Sequence, residues 1–453
     1  MKQRIVEPAP DISDLSNLKS VASAMFGKLG PLTQAIQKAN NEYLYWDRFK
    51  HQRFPEGVTP ETAWEILKLS RLSQMSSFPL KDTQGQEFSF WLPDSAQRSL
   101  HNIDRQAPKI ISSELPVINE ASKRKYLISS LMEEAIASSQ IEGAATTRKL
   151  AKDFLRTGRK PSTRAEKMIT NNYQTIQRIL ECKDEQLTPE MLIELQSSMT
   201  EGTIDPNDVG QLRKSDDVFV FDDAKHEILH TPPLAKELPG RIELLCEFAN
   251  SDKYDSRFLH PVVKGILLHF WLAYIHPFVD GNGRTARALF YWHMLANDYW
   301  MFEYLSISRH ILLSRKKYET AYLYAEQDSN DATYFIVYHL ETIEKALASL
   351  QKYLAKKQDE LRETTRLNVA MSLRINDRQQ ALVRHALKNP GFVYTVESHR
   401  SSHGVSIPTA RTDLVGLVKR ELLTLKQVGK KHFFIAPEDL SERISRDKLS
   451  HLR

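Results

Sequence analysis

Between Pro261 and Ile275 the chain offers almost no polar face. Val262, Val263, Ile266, Leu267, Phe270, Trp271 and Tyr274 fall at three- and four-residue spacing and surround the axis, which predicts a helix enclosed by protein on all sides. Pro277 stops that helix and leaves His276 at its C-terminal end. Gly281-Asn282-Gly283 then predicts a tight loop, with a second helix beginning near Arg284. A glycine loop that opens into a helix aims several backbone N–H groups at one spot, where an anion binds well. Arg284 and Arg287, three apart on the first turn, add charge suited to phosphate oxygens. Asp280 supplies a hard oxygen ligand beside them that suits Mg²⁺. His276 belongs to the residue type that titrates near neutrality, so it can take a proton from a hydroxyl. Base, metal ligand and phosphate cradle together predict a phosphoryl-transfer site.

The segment His276-Pro-Phe-Val-Asp280-Gly-Asn-Gly-Arg284-Thr-Ala-Arg287 resembles the signature of the Fic family, His-Pro-Phe-x-Asp/Glu-Gly-Asn-Gly-Arg-x-x-Arg, at every specified position. The resemblance implies transfer of AMP from ATP to a protein hydroxyl, with His276 as general base and Asp280 holding Mg²⁺. It implies that Gly281, Asn282 and Gly283 line the α- and β-phosphates, that Arg284 and Arg287 hold the phosphate tail, and that Thr285 and Ala286 belong to the same ATP-binding stretch. It extends over roughly Thr188 to Val337. Asp217 to Phe221 and Glu227 to Thr231 read as a hairpin closed by Pro232-Pro233. With Gly210 and Arg213 they resemble the family's flap, which aligns a target segment as an added strand over 217–231. Lys317-Tyr318 resembles the region over the adenine. The family often has two adjacent tyrosines there, whereas this chain has Tyr318-Glu319, so the base-binding contact at Tyr318 departs from the pattern.

Two further patterns need weighing. Ser138-Ser-Gln-Ile-Glu142-Gly143 closes a helix that begins near Ser122. Ser138 and Glu142 share one face, and Gly143 is a natural terminator. This resembles the family's inhibitory motif, in which Glu142 would pair with Arg287 and keep the γ-phosphate from its productive pose. Ser197-Ser-Met-Thr-Glu201-Gly202 matches the same loose pattern. The first is preferred for its position and its long amphipathic helix. His226-Glu-Ile-Leu-His230 spells a zinc-protease motif, but that chemistry needs a helix. Its strand-like neighbours predict a flap strand instead.

The expected organisation is mainly α. It comprises a mixed N-terminal region (1–115) without a chemical motif, a helical Fic core (116–350) with a small β-hairpin flap, a helical linker (351–370), a C-terminal winged-helix (α+β) module (371–440) and a tail (441–453). Residues 371–453 hold 15 Lys+Arg against 8 Asp+Glu, a net of +7, so the remainder carries 5 − 7 = −2. That footprint makes duplex DNA a candidate partner of 371–440, through Thr409, Arg411 and Thr412 at the start of its third helix. A protein target or a second copy of the chain is the other candidate, the copy making a homodimer. Only Cys182 and Cys246 occur, and the first 30 residues lack the apolar core of a signal peptide, so a reducing cytoplasm is expected. The leading expectation is an autoinhibited protein adenylyltransferase using ATP and Mg²⁺ on a Tyr, Thr or Ser hydroxyl. Transfer of another nucleotide, removal of AMP, or a DNA-binding regulator that senses ATP are the alternatives.

Overall fold

The computed structural model describes residues 2–3, 6–10, 29–109, 120–222, 227–251, 258–368, 375–429, 431–440 and 442–444. In chain order its elements are β1 (Lys2–Gln3), α1 (Leu29–Glu42), α2 (Trp46–Phe49), α3 (Pro60–Leu72), β2 (Ser76–Lys81), β3 (Glu87–Phe90), α4 (Asp94–Lys109), α5 (Glu120–Ile141), α6 (Arg148–Thr157), α7 (Arg164–Glu181) and α8 (Pro189–Thr200). They continue with β4 (Val220–Asp222), β5 (Glu227–His230), α9 (Leu238–Asn250), α10 (Pro261–Ile275), α11 (Asn282–Ala296), α12 (Ile307–Leu313), α13 (Arg315–Gln327) and α14 (Thr333–Asn368). The last are α15 (Asp377–Lys388), β6 (Val393–Tyr394), α16 (Val396–His403), α17 (Ile407–Lys419), β7 (Thr424–Val428) and β8 (Lys431–Ile435). The protein is mainly helical, and its helical core carries a small hairpin.

Packing divides the chain into two compact units that interleave along the sequence. One takes Met1–Asp104, Gln174–Tyr299 and His310–Lys345, and the other Arg105–Tyr173, Trp300–Arg309 and Ala346–Arg453. In the first, α10 is buried along nearly its whole length, as its apolar circumference demands. It lies closest to α11, and Gly265 permits the approach. A Cβ there would stand 3.1 Å from Met294 Sδ and 3.3 Å from His293.

The N-terminal region, which carried no motif, is part of this first unit. Its Arg71 is fully buried and donates Nε to Asn40 Oδ1 (3.0 Å), Nη1 to the Tyr334 hydroxyl (3.0 Å), and Nη2 to the carbonyls of Ala39 and Leu44. Lys68 pairs with Asp328 at 2.9 Å, the Tyr334 hydroxyl donates to Asp328, and that of Tyr43 donates to Asp331. This buried network ties α1 and α3 to the turn between α13 and α14. Losing one partner of such a pair costs about 3–5 kcal/mol, because the other charge stays desolvated.

This region also forms the hairpin β2–β3, of which the sequence hides β2. Pro79 interrupts β2, and the register shifts between Phe78 and Lys81, so the proline sits in an irregular stretch where no ladder bond is needed.

In the second unit α5 ends as expected, with Ser138 buried, Glu142 just past the helix and Gly143 at positive φ. α15, α16 and α17 accompany a sheet of order β6-β8-β7, whose first strand lies between α15 and α16 in the chain. Asn376, Thr395 and Ser406 cap the three helices, and β6 was not foreseen. Asp413 of α17 joins these helices by accepting from Arg378 Nε (2.7 Å), Asn376 Nδ2 (2.7 Å) and His399 Nε2 (3.2 Å). α16 packs on α5 and α6, and the Arg156 guanidinium lies 5.3 Å over the Phe392 ring. Within the stretch expected as a helical linker (351–370), residues 351–368 are helical and continue α14. Among the described residues, no helix is long and apolar enough to cross a membrane.

Candidate active site

His276 caps α10 with φ 45° and ψ 60°, in the left-handed region, and its N–H closes the helix on Leu272 O at 3.1 Å. A non-glycine residue is held there at a cost of about 1–2 kcal/mol. Arg213 supplies the restraint. Its side chain is 1% exposed. Nε donates to His276 O (2.9 Å), and its own backbone N–H donates to Pro277 O (2.9 Å). Nη1 donates to Ser215 O (3.0 Å) and Nη2 to Pro233 O. Hydrogen bonds from a charged donor contribute roughly 1.5–3 kcal/mol each, so one guanidinium more than offsets the strain. Ser215 precedes the flap hairpin and Pro233 follows it, so the same group joins both flap ends to the histidine.

His276 Nδ1 lies 3.3 Å from Ala273 O. A carbonyl only accepts, so a neutral ring that donates Nδ1–H there leaves Nε2 as its lone-pair nitrogen. The side chain is half-buried, open enough to meet a substrate.

The loop after it has the geometry that suits an anion. Asn282 spends its side chain on the backbone of Phe278, with Oδ1 accepting from Phe278 N (2.9 Å) and Nδ2 donating to Phe278 O (2.7 Å). It can therefore serve a phosphate only through its backbone. Gly281 takes φ +89°, and a Cβ on it would meet Thr200 Cγ2 at 2.8 Å. No side chain caps α11, and its first turn presents N–H groups that the helix itself cannot use. α8 supports the loop from below. Gln196 Nε2 donates to Asp280 O (3.1 Å) while its Oε1 accepts from Gly210 N (2.8 Å). Arg284, 0% exposed, donates to Met199 O (2.8 Å) and approaches Asp280 Oδ1 (3.2 Å), which also accepts from Gly281 N. The second inhibitory-like pattern, Ser197 to Gly202, is thus the end of this supporting helix, with Glu201 at its C-cap.

The structure brings His276, Asp280, Gly281, Asn282, Gly283, Arg284 and Arg287 onto one helix–loop–helix corner. Arg287 is 1% exposed. Thr285 and Ala286 face the core, with the Thr285 hydroxyl 3.8 Å from Met199 Sδ. Tyr318 is 9% exposed, its hydroxyl 3.0 Å from His269 Nε2 and its ring among Tyr322, Phe335, Tyr338 and His339. It is seated as a core aromatic, so the adenine contact implied for it has little exposed ring face to rest on. Burial, with His339 and Arg287 nearby, pushes His269 far below the usual histidine range, so it stays neutral. Ser138, Glu142 and Gly143 belong to the second unit.

The flap forms as an antiparallel pair, β4 with β5, with a register shift between Val220 and Phe221. His226 lies outside the described residues. His230 ends a strand and is no zinc ligand here. Its Nε2 donates to Tyr274 O (2.6 Å) and its Nδ1 to Glu326 (2.8 Å). Both partners only accept, so the ring is an imidazolium. Burial opposes that charge, but Glu326 and the carbonyl prevail and hold the pKa above its ordinary value. Gln196, Arg213 and His230 carry the geometry. Of these, sequence reading placed Arg213 with the flap and His230 on a flap strand, and it missed Gln196, whose bridge between Asp280 and Gly210 no local pattern signals. No group of three or more His, Cys, Asp or Glu able to hold a metal occurs among the described residues.

Residues 186–294 match the model of the Fic/DOC family. A protein named Protein adenylyltransferase Fic from Nematostella vectensis is 29% identical over 204 residues, 43% of this chain and 43% of that protein. One of the same name from Drosophila mojavensis is 39% identical over 88 residues, 19% of this chain and 16% of its own length. The chain therefore spans less than half the length of these curated relatives. A solved structure of a substituted Fic-1 from C. elegans superposes with a TM-score of 0.50 at 14% identity, covering 76% of this chain and 94% of that one, a likeness of fold.

Arg213→Lys keeps the charge but loses the fork that reaches three carbonyls. Denaturant unfolding should show a loss of about 2–4 kcal/mol, and a variant as stable as the parent would show that the guanidinium is not the clamp.

Proposed function

We propose that this chain, a Fic-family protein through residues 186–294, is a protein adenylyltransferase that moves AMP from ATP to a Tyr, Thr or Ser hydroxyl of a target protein. The observation that carries the reading is His276, held at a helix end by Arg213 with Nε2 as its basic nitrogen, beside the glycine loop that opens α11. The name borne by the matched relatives agrees with it. The hydroxyl oxygen would attack the α-phosphorus while its proton passes to His276 Nε2. The bond from the α-phosphorus to the bridging oxygen breaks, and pyrophosphate leaves. Backbone N–H groups of the loop and the arginines of α11 would stabilise charge on the phosphates, which is most of what a protein contributes to such a transfer. Asp280 would hold Mg²⁺, whose role when bound is to neutralise the phosphate oxygens. The inward seat of Tyr318 favours a second reading, transfer of a different nucleotide by the same residues. A reducing cytoplasm is the proposed location, supported by two buried free thiols.

His276→Ala should lower transfer by about 10²- to 10⁴-fold while ATP still binds, because the loop does not use the imidazole. Incubation with ATP labelled at the α- or the γ-phosphate measures this. Label from the α-position alone is expected, and an unchanged rate in His276→Ala would refute the mechanism.

Glu142 is proposed as a brake on the site, the role its motif has in the family. Glu142→Gly should raise transfer above the parent in the same assay, and Glu201→Gly should not, since Glu201 ends the helix under the loop. The reverse result would move the brake to the second motif.

The C-terminal helices and sheet are proposed to be a winged helix that contacts duplex DNA, supported by the net charge of +7 over residues 371–453 and the exposed Arg411 and Thr412 on α17. The full chain should retard a duplex at ~50 mM salt and release it as salt rises, with Arg411→Ala weakening the shift. An unshifted duplex would assign the module to a protein target or a second copy of the chain.

A further inference from the structure

Both sides of the flap strand β5 are occupied. β4 pairs antiparallel along one edge, and β1 runs parallel along the other, with Lys2 opposite Glu227 and Gln3 opposite Ile228. Val6 and Glu7 are tied down. Val6 N–H donates to Gln327 Oε1 (2.9 Å), the Tyr45 hydroxyl donates to Glu7 O (3.1 Å), and Lys50 pairs with the Glu7 carboxylate. Val6 and Ala9 rest against the apolar cluster of α1, α2 and α3. Gln327 is the last residue of α13, and its neighbour Glu326 holds His230 at the end of β5. One helix end therefore positions both the flap strand and the segment that leads from its edge.

Building on the transfer reading above and on the flap docking that the resemblance implies, we propose that this chain's own residues 2–3 are the resident occupant of the β5 edge, which a parallel, extended target segment must displace. Strand addition supplies backbone hydrogen bonds whatever the sequence, so an edge of this kind accepts any extended segment that fits. β5 is fastened to the base at its far end, because His230 bonds Tyr274 O and Arg213 links Pro233 O to His276 O. A strand laid on β5 is thus carried toward His276.

The occupant's sequence fits a place-holder. Residues 1–10, MKQRIVEPAP, contain no Ser, Thr or Tyr, and the first hydroxyl comes at Ser13. The segment can fill the edge without being modified. Pro8 and Pro10 lack the N–H that a longer ladder would need. Two paired residues make a weak strand, but tethering at Val6 and Glu7 keeps it at an effective concentration on the order of millimolar. Weak pairing with high local concentration sets a threshold that a specific target passes and a chance segment does not.

The test uses the full chain and the same chain with Lys2→Pro and Gln3→Pro, which removes the N–H groups of β1. A fluorescein-labelled decapeptide of sequence MKQRIVEPAP should bind the double variant at least about fivefold tighter than the parent, because the tethered competitor is gone. A second decapeptide with Thr in place of its Gln should take up label from α-labelled ATP faster with the double variant. Equal peptide binding by the two chains overturns the proposal. So does a bound Thr peptide that stays unlabelled while the chain labels itself, since the edge would then not lead to His276. Tighter binding to the variant with no transfer to any acceptor supports the edge and its occupant, and overturns the adenylyltransferase reading alone.

Discussion

The site depends on one buried guanidinium. Arg213 reaches three backbone carbonyls on different stretches of chain, those of His276, Ser215 and Pro233. Each is a group that would otherwise be buried without a donor or left to set its own conformation. A carbonyl acceptor carries no side-chain identity, so the arrangement tolerates change in the flap sequence while fixing where the flap begins and ends. It also explains how a histidine can persist at positive φ immediately before a proline, a position where local preference alone would choose extended backbone.

The surrounding fold works on the same principle at larger scale. The N-terminal helices are bound to the core through Arg71, Lys68, Asp328 and Asp331, all buried, with their hydrogen bonds made to groups from both partners. Such clusters are weak arguments for stability but strong ones for register, because a slipped arrangement would strand charges without partners. They place the end of α13 and, with it, Glu326 and Gln327.

Much of this was legible in the sequence where the signal is local. The bounds of α10 and α15 agree with their apolar spacing and caps, and the helix–loop–helix corner follows from Pro277 and the two glycines. The hairpin around residues 220–230 was visible in its alternation and in Pro232-Pro233. What stayed hidden depends on distant partners. β2 reads poorly as a strand because Pro79 interrupts it. Asn282 reads as a phosphate ligand until its side chain is found on Phe278. Tyr318 reads as a ligand contact until its hydroxyl is found against His269. No spacing rule announces that Gln196 will bridge Asp280 and Gly210, or that Arg71 will collect carbonyls from α1.

The absent side chain at Gly265 has a consequence for how this protein can vary. α10 ends at His276 and α11 opens at the glycine loop, while Gly265 and Met294 meet near the other ends of the two helices, where their contact sets how closely the pair can lie. With Met294 Sδ only 3.1 Å from where a methyl would stand, that distance is calibrated by a hydrogen atom. Even the smallest alternative residue would wedge the helices apart by tenths of an ångström. The chain could fold around such a wedge, since the contact is apolar and methionine is pliable. Change at this position would therefore be absorbed in the spacing of the two helices while leaving the architecture recognisable, as a shim alters a joint whose parts are all intact.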